Sequence, residues 1–341
     1  MNKPPFEVND IIINKLAEIT TELGRLDASA KKKIDLHLRK ASMIKTVNSS
    51  CAIEANTLTE RQVEGIIDGK RIIAPPDEIL EVMNAYAAYA AIDEYKPYET
   101  ASFLKAHGIL MKQLADDAGR YRETDVGVFD RGKVIHIGAR PQFIPGLMDE
   151  LFKWARTSEL NSIIKACVLH YEIETIHPFS DGNGRIGRLW QSVVLCRYNE
   201  LFKLMPIETL VYANQQRYYD SIEASREENG STPFIEFMME MISETIDAFS
   251  GNEARSRGLN SEYLKDLNAN ESEMLRLIVS NFDTGDKITA GRLSEIADKP
   301  DSTVRKHLKK FTEENILIAS GENKGRTYVL NPDIGIPKTK N

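Results

Sequence analysis

The stretch IHPFSDGNGRIGR, residues 176–188, holds one histidine, one carboxylate, three glycines and two arginines. Pro178 and the glycines at 182 and 184 oppose continuous helix through 177–184. The spacing therefore predicts a helix that restarts near Asn183 or Gly184 and runs on through RIGRLWQSVVLCRYN. A helix starting there presents unpaired backbone N–H groups and the positive end of its dipole. With no side chains at Gly182 and Gly184, an anion can approach that backbone closely, as in a glycine-rich phosphate turn. Arg185 and Arg188 share a helical face just inside the turn and can add charge-assisted bonds to further phosphates. Asp181 is a hard oxygen ligand of the kind Mg2+ accepts. His177 is the group here that exchanges a proton near neutral pH. Taken one at a time, these residues are a glycine-rich helix start, surface arginines and a core histidine. Seven of them in register, Asn183 included, favour a polyphosphate cradle with a metal ligand and a general base.

Such a cradle needs a scaffold, and most of residues 9–250 reads as helix. INKLAEITTELGRLD carries an apolar stripe at Ile13, Leu16, Ile19, Leu23 and Leu26. KKKIDLHLRKASMIKTV continues in that style, Pro75-Pro76 interrupts it, and EILEVMNAYAAYAAIDEY resumes it. Between Asp116 and Pro145 glycine, arginine and β-branched residues accumulate. VIHI at 134–137 and the Arg131-Gly132 turn signal predict a β-hairpin flap on the helical body. GLMDELFKWARTS and SIIKACVLHYEIETI then return to helix and run into the opening stretch.

HPFSDGNGRIGR resembles the signature of the Fic family, HPFx[D/E]GNGRxxR, at every specified position. The resemblance extends over roughly residues 40–245, and Gly182, Gly184 and Arg185 side with its AMP-transferring members rather than the kinase-like Doc branch. It implies transfer of AMP from ATP to a hydroxyl of a target protein. His177 would deprotonate that hydroxyl, and Asp181 would hold Mg2+ bridging the α- and β-phosphates. Gly182, Asn183 and Gly184 would bind phosphates through the turn, Arg185 the β-phosphate and Arg188 the γ-phosphate. Phe179 would anchor the loop in the core. The flap strand, Val134, Ile135, His136 and Ile137, would hold the target segment by strand addition. YANQQRYYDSIEAS resembles the helix closing the adenine side, with Tyr218 and Tyr219 as candidates beside the plainer reading of both as core residues.

SSCAIEAN, residues 49–56, places Ser50 and Glu54 on one helical face. Its bland reading is solvated charge. Beside a Fic core it resembles the inhibitory motif [S/T]xxxE[G/N], whose glutamate pairs with the second signature arginine and denies it to the γ-phosphate. Here that pair would be Glu54 with Arg188. Position 55 is Ala where the pattern has Gly or Asn, which weakens a backbone fit and leaves the carboxylate in place.

Past the polar segment 251–265, expected as a linker, three helices and two strands around GENKG give the order of a winged helix over 266–332. The third helix is expected to be capped by Asp301 or Ser302. Arg305, Lys306, Lys309 and Lys310 form a basic edge, with Lys324 and Arg326 in the wing, an arrangement suited to DNA phosphates. The competing reading is a module for protein contact or dimerisation. Residues 333–341 read as a frayed tail. The remaining boundaries are an N-terminal region 1–75, containing the inhibitory helix near 44–58, and a catalytic core 76–250.

Composition agrees with this partition. Net charge is −7, against a chain built throughout to coat nucleic acid or anionic membrane. Three separated cysteines without a CxxC pair point to a reduced, cytoplasmic setting and to buried structural thiols. The N-terminus has no apolar signal core, and no run of about 18 apolar residues offers a membrane span. The expected fold is mainly α: a helical Fic fold with a β-hairpin flap plus a small α+β winged-helix domain. The expected function is an autoinhibited protein adenylyltransferase using Mg2+ and ATP. The alternatives are a DNA-binding regulator with a nucleotide-sensing core, and a bifunctional enzyme that also removes AMP.

Overall fold

The computed structural model describes residues 3–29, 36–130, 133–258, 267–282, 285–321 and 326–331. They divide into two compact units, Met1–Ile246 and Asp247–Asn341. The first is helical. Its elements are α1 (Asp10–Ser29), α2 (Leu36–Ile53), α3 (Glu60–Ile67), α4 (Pro76–Ala90) and α5 (Thr100–Leu110). The hairpin β1 (Gly127–Asp130) and β2 (Lys133–Ile137) follows. Then come α6 (Ile144–Thr157), α7 (Ser162–Ile176), α8 (Asn183–Tyr198), α9 (Ile207–Ala213), α10 (Gln215–Glu227) and α11 (Thr232–Gly258), whose last residues run past the unit's end at Ile246.

Helix boundaries fall where local chemistry puts them. Thr59 and Gln62 close a capping box ahead of α3. Pro75 and Pro76 hold the entry to α4, where a missing N–H costs nothing. The buried stripe of α1 runs through Ile12, Ile19, Leu23 and Leu26, while Ile13 is 52% exposed. The expected stripe therefore began one residue late, because Ile12 and Ile19 lie two full turns apart and Ile13 points about 100° away.

α8 packs along α7, and α2 packs against α4 and α9. Around α8, Trp190 meets Phe103 edge-on at 5.1 Å, and Phe103 in turn meets Phe152 and Phe179 at 5.4 Å. The indole N–H of Trp190 donates to the Pro97 carbonyl at 2.9 Å, so this aromatic core leaves no buried donor on the ring unpaired. β1 and β2 pair antiparallel, with Gly127 opposite Ile137 and a register irregularity between Val128 and Phe129. The Arg131-Gly132 turn lies outside the described residues.

α11 continues to Gly258, eight residues into the segment expected as linker. Ala254 and the arginines there favour helix, and no proline stops it. Residues 259–265, the rest of that segment, and residue 266 lie outside the described residues.

In the second unit, α12 (Ala269–Asn281), α13 (Ala290–Ala297) and α14 (Asp301–Glu313) precede the antiparallel strands β3 (Leu317–Ser320) and β4 (Thr327–Leu330). Ile288 bridges to Tyr328 and extends the hairpin. Leu275, Ile278, Leu293, Leu308 and Phe311 form its core. The N-cap of α14 is Pro300, with no side-chain cap, rather than Asp301 or Ser302. Asp301 instead stands in the first turn, where it favours the helix dipole and pairs with Arg305 at 2.6 Å. Lys324 and the tail 333–341 lie outside the described residues. Among the described residues, no helix is long and apolar enough to cross a membrane.

Candidate functional site

α7 ends because His177 turns left-handed, at φ 52° and ψ 63°, and Pro178 follows. α8 begins after Gly182, which is also left-handed at φ 80°. A Cβ at 182 would stand 2.6 Å from the Met111 sulfur, so conformation and space both reserve that position for glycine. Between these two points the loop is braced from inside. The Asn183 side chain donates to the Phe179 carbonyl and accepts from its N–H, each at 2.9 Å. Phe179 is fully buried, its ring stacked on His107 at 3.5 Å. His107 accepts the Gly119 N–H at Nδ1, so Nε2 carries the proton and donates to the Asp181 carbonyl at 2.9 Å. Burial lowers the His107 pKa to about 4, which keeps this brace neutral.

The same reasoning assigns the proton on His177. Its Nδ1 lies 3.3 Å from the Glu174 carbonyl, which can only accept, so in the neutral ring Nδ1 carries the hydrogen and leaves the lone pair on Nε2. A neutral imidazole with a basic Nε2 suits a general base. Arg122 fixes the backbone beneath it. This buried guanidinium donates to the carbonyls of His177 at 2.7 Å, Thr124 at 2.6 Å and Ala139 at 2.5 Å. Gly138 and Ala139 follow β2 directly, so one side chain ties the base of the flap to the loop that carries His177. The Ala139 N–H adds a bond to the Ile176 carbonyl at 3.1 Å.

The two motif arginines are both buried and both already paired. Arg188, 3% exposed, meets the Glu54 carboxylate at 2.7 Å. It also donates from Nε to the Ser50 hydroxyl at 3.2 Å and from Nη2 to the Ser50 carbonyl at 3.1 Å. Burial opposes its charge, and Glu54 outweighs that and holds Arg188 firmly protonated. Glu54 stands just past the end of α2. The N–H of Ala55 bonds to Ala52 at 3.0 Å and that of Asn56 to Cys51 at 3.2 Å, a Schellman closure with Ala55 left-handed at φ 68°. The Gly or Asn of the resembled motif thus corresponds to a backbone requirement, which alanine meets at a cost of about 1–2 kcal/mol. A Cβ on Gly184 would collide with the Glu54 carboxylate, so that glycine also admits the ion pair.

Arg185, 6% exposed, donates from Nη1 to Glu81 on α4 at 3.0 Å and from Nη2 to both Asp181 oxygens at 3.2 Å. Asp181 accepts the Gly182 N–H at 2.6 Å, yet its side chain remains 62% exposed. Glu174, on the last turn of α7, adds a further carboxylate near Gly184; its Oε1 is buried with no hydrogen-bond partner among the described residues. Burial, with Glu54 adding to it against the opposing pull of Arg188, raises its pKa to about 7. Burial likewise pushes the Cys51 thiol up to about 12, so this cysteine is an inert packing residue.

The other expected site residues are scattered. Tyr218 is 1% exposed, with its hydroxyl 3.1 Å from His170, and so packs in the core behind Arg188. Tyr219 is 46% exposed and reaches the Ile53 carbonyl at 3.4 Å, beside the Glu54 segment. Val134, Ile135, His136 and Ile137 all lie on β2. On α14, Arg305 pairs with Asp301 at 2.6 Å and Lys309 with Glu313 at 3.7 Å. Lys310 pairs with Glu271 at 2.7 Å, while Lys306 is exposed. Sequence reasoning passed over Glu81, Arg122, His107 and Glu174. They sit within ordinary helix or turn sequence, and only their distant partners distinguish them.

The Fic/DOC family model matches residues 97–195, which include the whole loop. A Fic family protein from Desulfovibrio desulfuricans, solved by crystallography, superposes with a TM-score of 0.72 at 31% identity, covering 97% of this chain and 98% of its own. A protein adenylyltransferase Fic from Nematostella vectensis is 27% identical over 226 residues, 62% of this chain and 49% of its own length. The Drosophila melanogaster protein of that name is 26% identical, over 62% of this chain and 43% of its own. The chain spans about half the length of these curated relatives. Fic-1 from C. elegans shares the fold, with a TM-score of 0.57 over 71% of this chain at 20% identity.

Proposed function

This chain belongs to the Fic family, and from that premise we propose that it transfers AMP from ATP to a hydroxyl group of a protein target. The observation that carries the reading is the 177–188 loop. It brings a lone-pair Nε2, a glycine-rich helix start, two arginines and an exposed carboxylate to one place. His177 Nε2 takes the hydroxyl proton as that oxygen bonds to the α-phosphorus. The bond from the α-phosphorus to the bridging oxygen breaks, and pyrophosphate departs. Arg185 and the first N–H groups of α8 stabilise the charge on the leaving phosphates. Asp181 fits a Mg2+ ion, because its carboxylate is hard, largely exposed and at the lip of the phosphate turn. When bound, the ion would offset phosphate charge. The strand β2 would align the target segment by backbone pairing.

The wild-type protein is held back by Glu54, which occupies the donors of Arg188 that a γ-phosphate would need. The second unit, with the helix order and hairpin of a winged helix, serves as an accessory module. Its basic edge is largely neutralised by carboxylates of the same unit, so a DNA-binding role draws no support from it.

Labelled ATP tests the reading. Glu54→Gly should raise protein-bound label at saturating Mg-ATP by about tenfold or more, the scale of one lost buried charge pair. His177→Ala should remove the label in either background. Equal labelling of Glu54→Gly and wild type would sink the inhibition, and label that survives His177→Ala would sink the assigned base.

A further inference from the structure

Arg185 is held on two edges by two different carboxylates. Asp181, four residues earlier on the same loop, takes Nη2 and is 62% exposed. Glu81 takes Nη1 at 3.0 Å, comes from α4, is 104 positions distant, and is only 21% exposed. Nε is buried with no acceptor among the described residues. A guanidinium on a long flexible stem occupies one orientation only when its fork is engaged. Asp181 alone does not supply that, because its side chain is 62% exposed and it is the group assigned to the metal. Glu81 is the more sheltered end of the contact.

Glu81 is itself fixed. Its second oxygen accepts the Asn56 side-chain N–H at 2.8 Å, and Asn56 also donates to the Glu78 carbonyl at 3.1 Å. Asn56 is 8% exposed, and its Oδ1 accepts the Leu58 N–H at 3.1 Å. Asn56 stands two residues past Glu54, and its own N–H completes the turn that presents Glu54. The segment that claims Arg188 therefore also orients the carboxylate that holds Arg185.

We propose that Glu81 is a positioning residue for Arg185, setting the guanidinium for the β-phosphate of the nucleotide, and that Asn56 ties this setting to the Glu54 segment. The proposal rests on the AMP-transfer reading, in which Arg185 meets the β-phosphate. The Glu81 contact uses Nη1 and the Asp181 contact Nη2, so Glu81 steadies the group without occupying the nitrogen that meets the metal ligand.

Affinities for AMP and ADP isolate the β-phosphate, and neither ligand carries the γ-phosphate that Glu54 opposes. Both should be measured by calorimetry with Mg2+ on the full chain, alongside the unfolding midpoint. Wild type should prefer ADP over AMP. Glu81→Ala should lower ADP affinity about tenfold, leave AMP affinity within about twofold, and so collapse the preference. Tenfold corresponds to about 1.4 kcal/mol, the order of one charge-assisted contact. Glu81→Gln keeps an oxygen for Nη1 and should restore part of the preference. The proposal is overturned by an unchanged ADP preference in Glu81→Ala, by equal weakening of AMP and ADP, or by a Gln variant no better than Ala. If wild type binds neither nucleotide, the transfer reading falls first and this one with it.

Discussion

α8 and α14 present the same residue types at nearly the same spacing and put them to opposite use. Arg185 and Arg188 of α8 are 6% and 3% exposed and pair with Glu81 and Glu54, 104 and 134 positions away. Arg305 and Lys309 of α14 pair with Asp301 and Glu313, four residues away on their own helix and well exposed. A buried cation needs a partner, and when that partner comes from a separate element, moving the element exposes a strong anion site. An exposed cation satisfied within one helix turn is stabilised weakly and is screened by salt. A basic helix face thus announces little until the origin of its counter-ions is known.

The contrast can be broken most severely at Arg122, another buried cation of the first unit, whose guanidinium donates to carbonyls among the described residues. Arg122→Met should destabilise the protein by about 3 kcal/mol, because it leaves buried carbonyls without donors. Arg122→Lys, which keeps the charge without the fork, should lower kcat for AMP transfer about tenfold while leaving ATP binding nearly unchanged. An ATP affinity that falls in step with kcat would mean the residue only supports the fold.

Glu174 sharpens the comparison, since its Oε1 is buried within the influence of Arg188 and has no hydrogen-bond partner among the described residues. Its pKa is raised to about 7 in the folded chain, against an ordinary value of 4.5. The unfolded chain therefore loses this proton first as pH rises. The corresponding stability is complete below about 4.5 and is lost progressively up to about pH 7. Glu174→Gln should thus stabilise the protein by about 1–3 kcal/mol at pH 8 and change little near pH 4.5. Unfolding midpoints of the two proteins across that range would decide it, and parallel curves would refute the assignment.

The smallest effect belongs to α14. Lys309→Ala should shift stability by no more than about 0.5 kcal/mol, and added salt should erase the difference. A larger loss, read by denaturant unfolding, would show that this exposed pair matters more than its geometry suggests.

Much of the site was legible because its signals are local. Proline and glycine mark where α7 must stop and α8 begin, and the HPFSDGNGRIGR register names the acid, base and cations. The flap was visible as a change of texture around VIHI. Less legible were elements whose meaning depends on a neighbour. The stripe of α1 begins at Ile12 rather than Ile13, and which face is buried is chosen by the partner surface. Tyr218 and Tyr219 are adjacent and chemically alike, yet one is core and the other half exposed. The cap of α14 fell to Pro300 although Asp301 and Ser302 offer better capping chemistry; Asp301 is already the first helical residue and pairs with Arg305.

The sequence by itself determined the interruption at 177–184 and the chemistry that interruption can hold. These follow from torsional limits and residue chemistry within a dozen positions, which no packing can rewrite. The motif resemblance named Glu54 for Arg188, and only the tertiary structure brought Glu81 to Arg185. Glu54 and Glu81 reach α8 from helices more than a hundred positions earlier, and the fork of Arg122 finds three carbonyls from separate segments. Such contacts form because buried charges and carbonyls must be satisfied when apolar faces close over them, and the closing faces determine which partners are within reach.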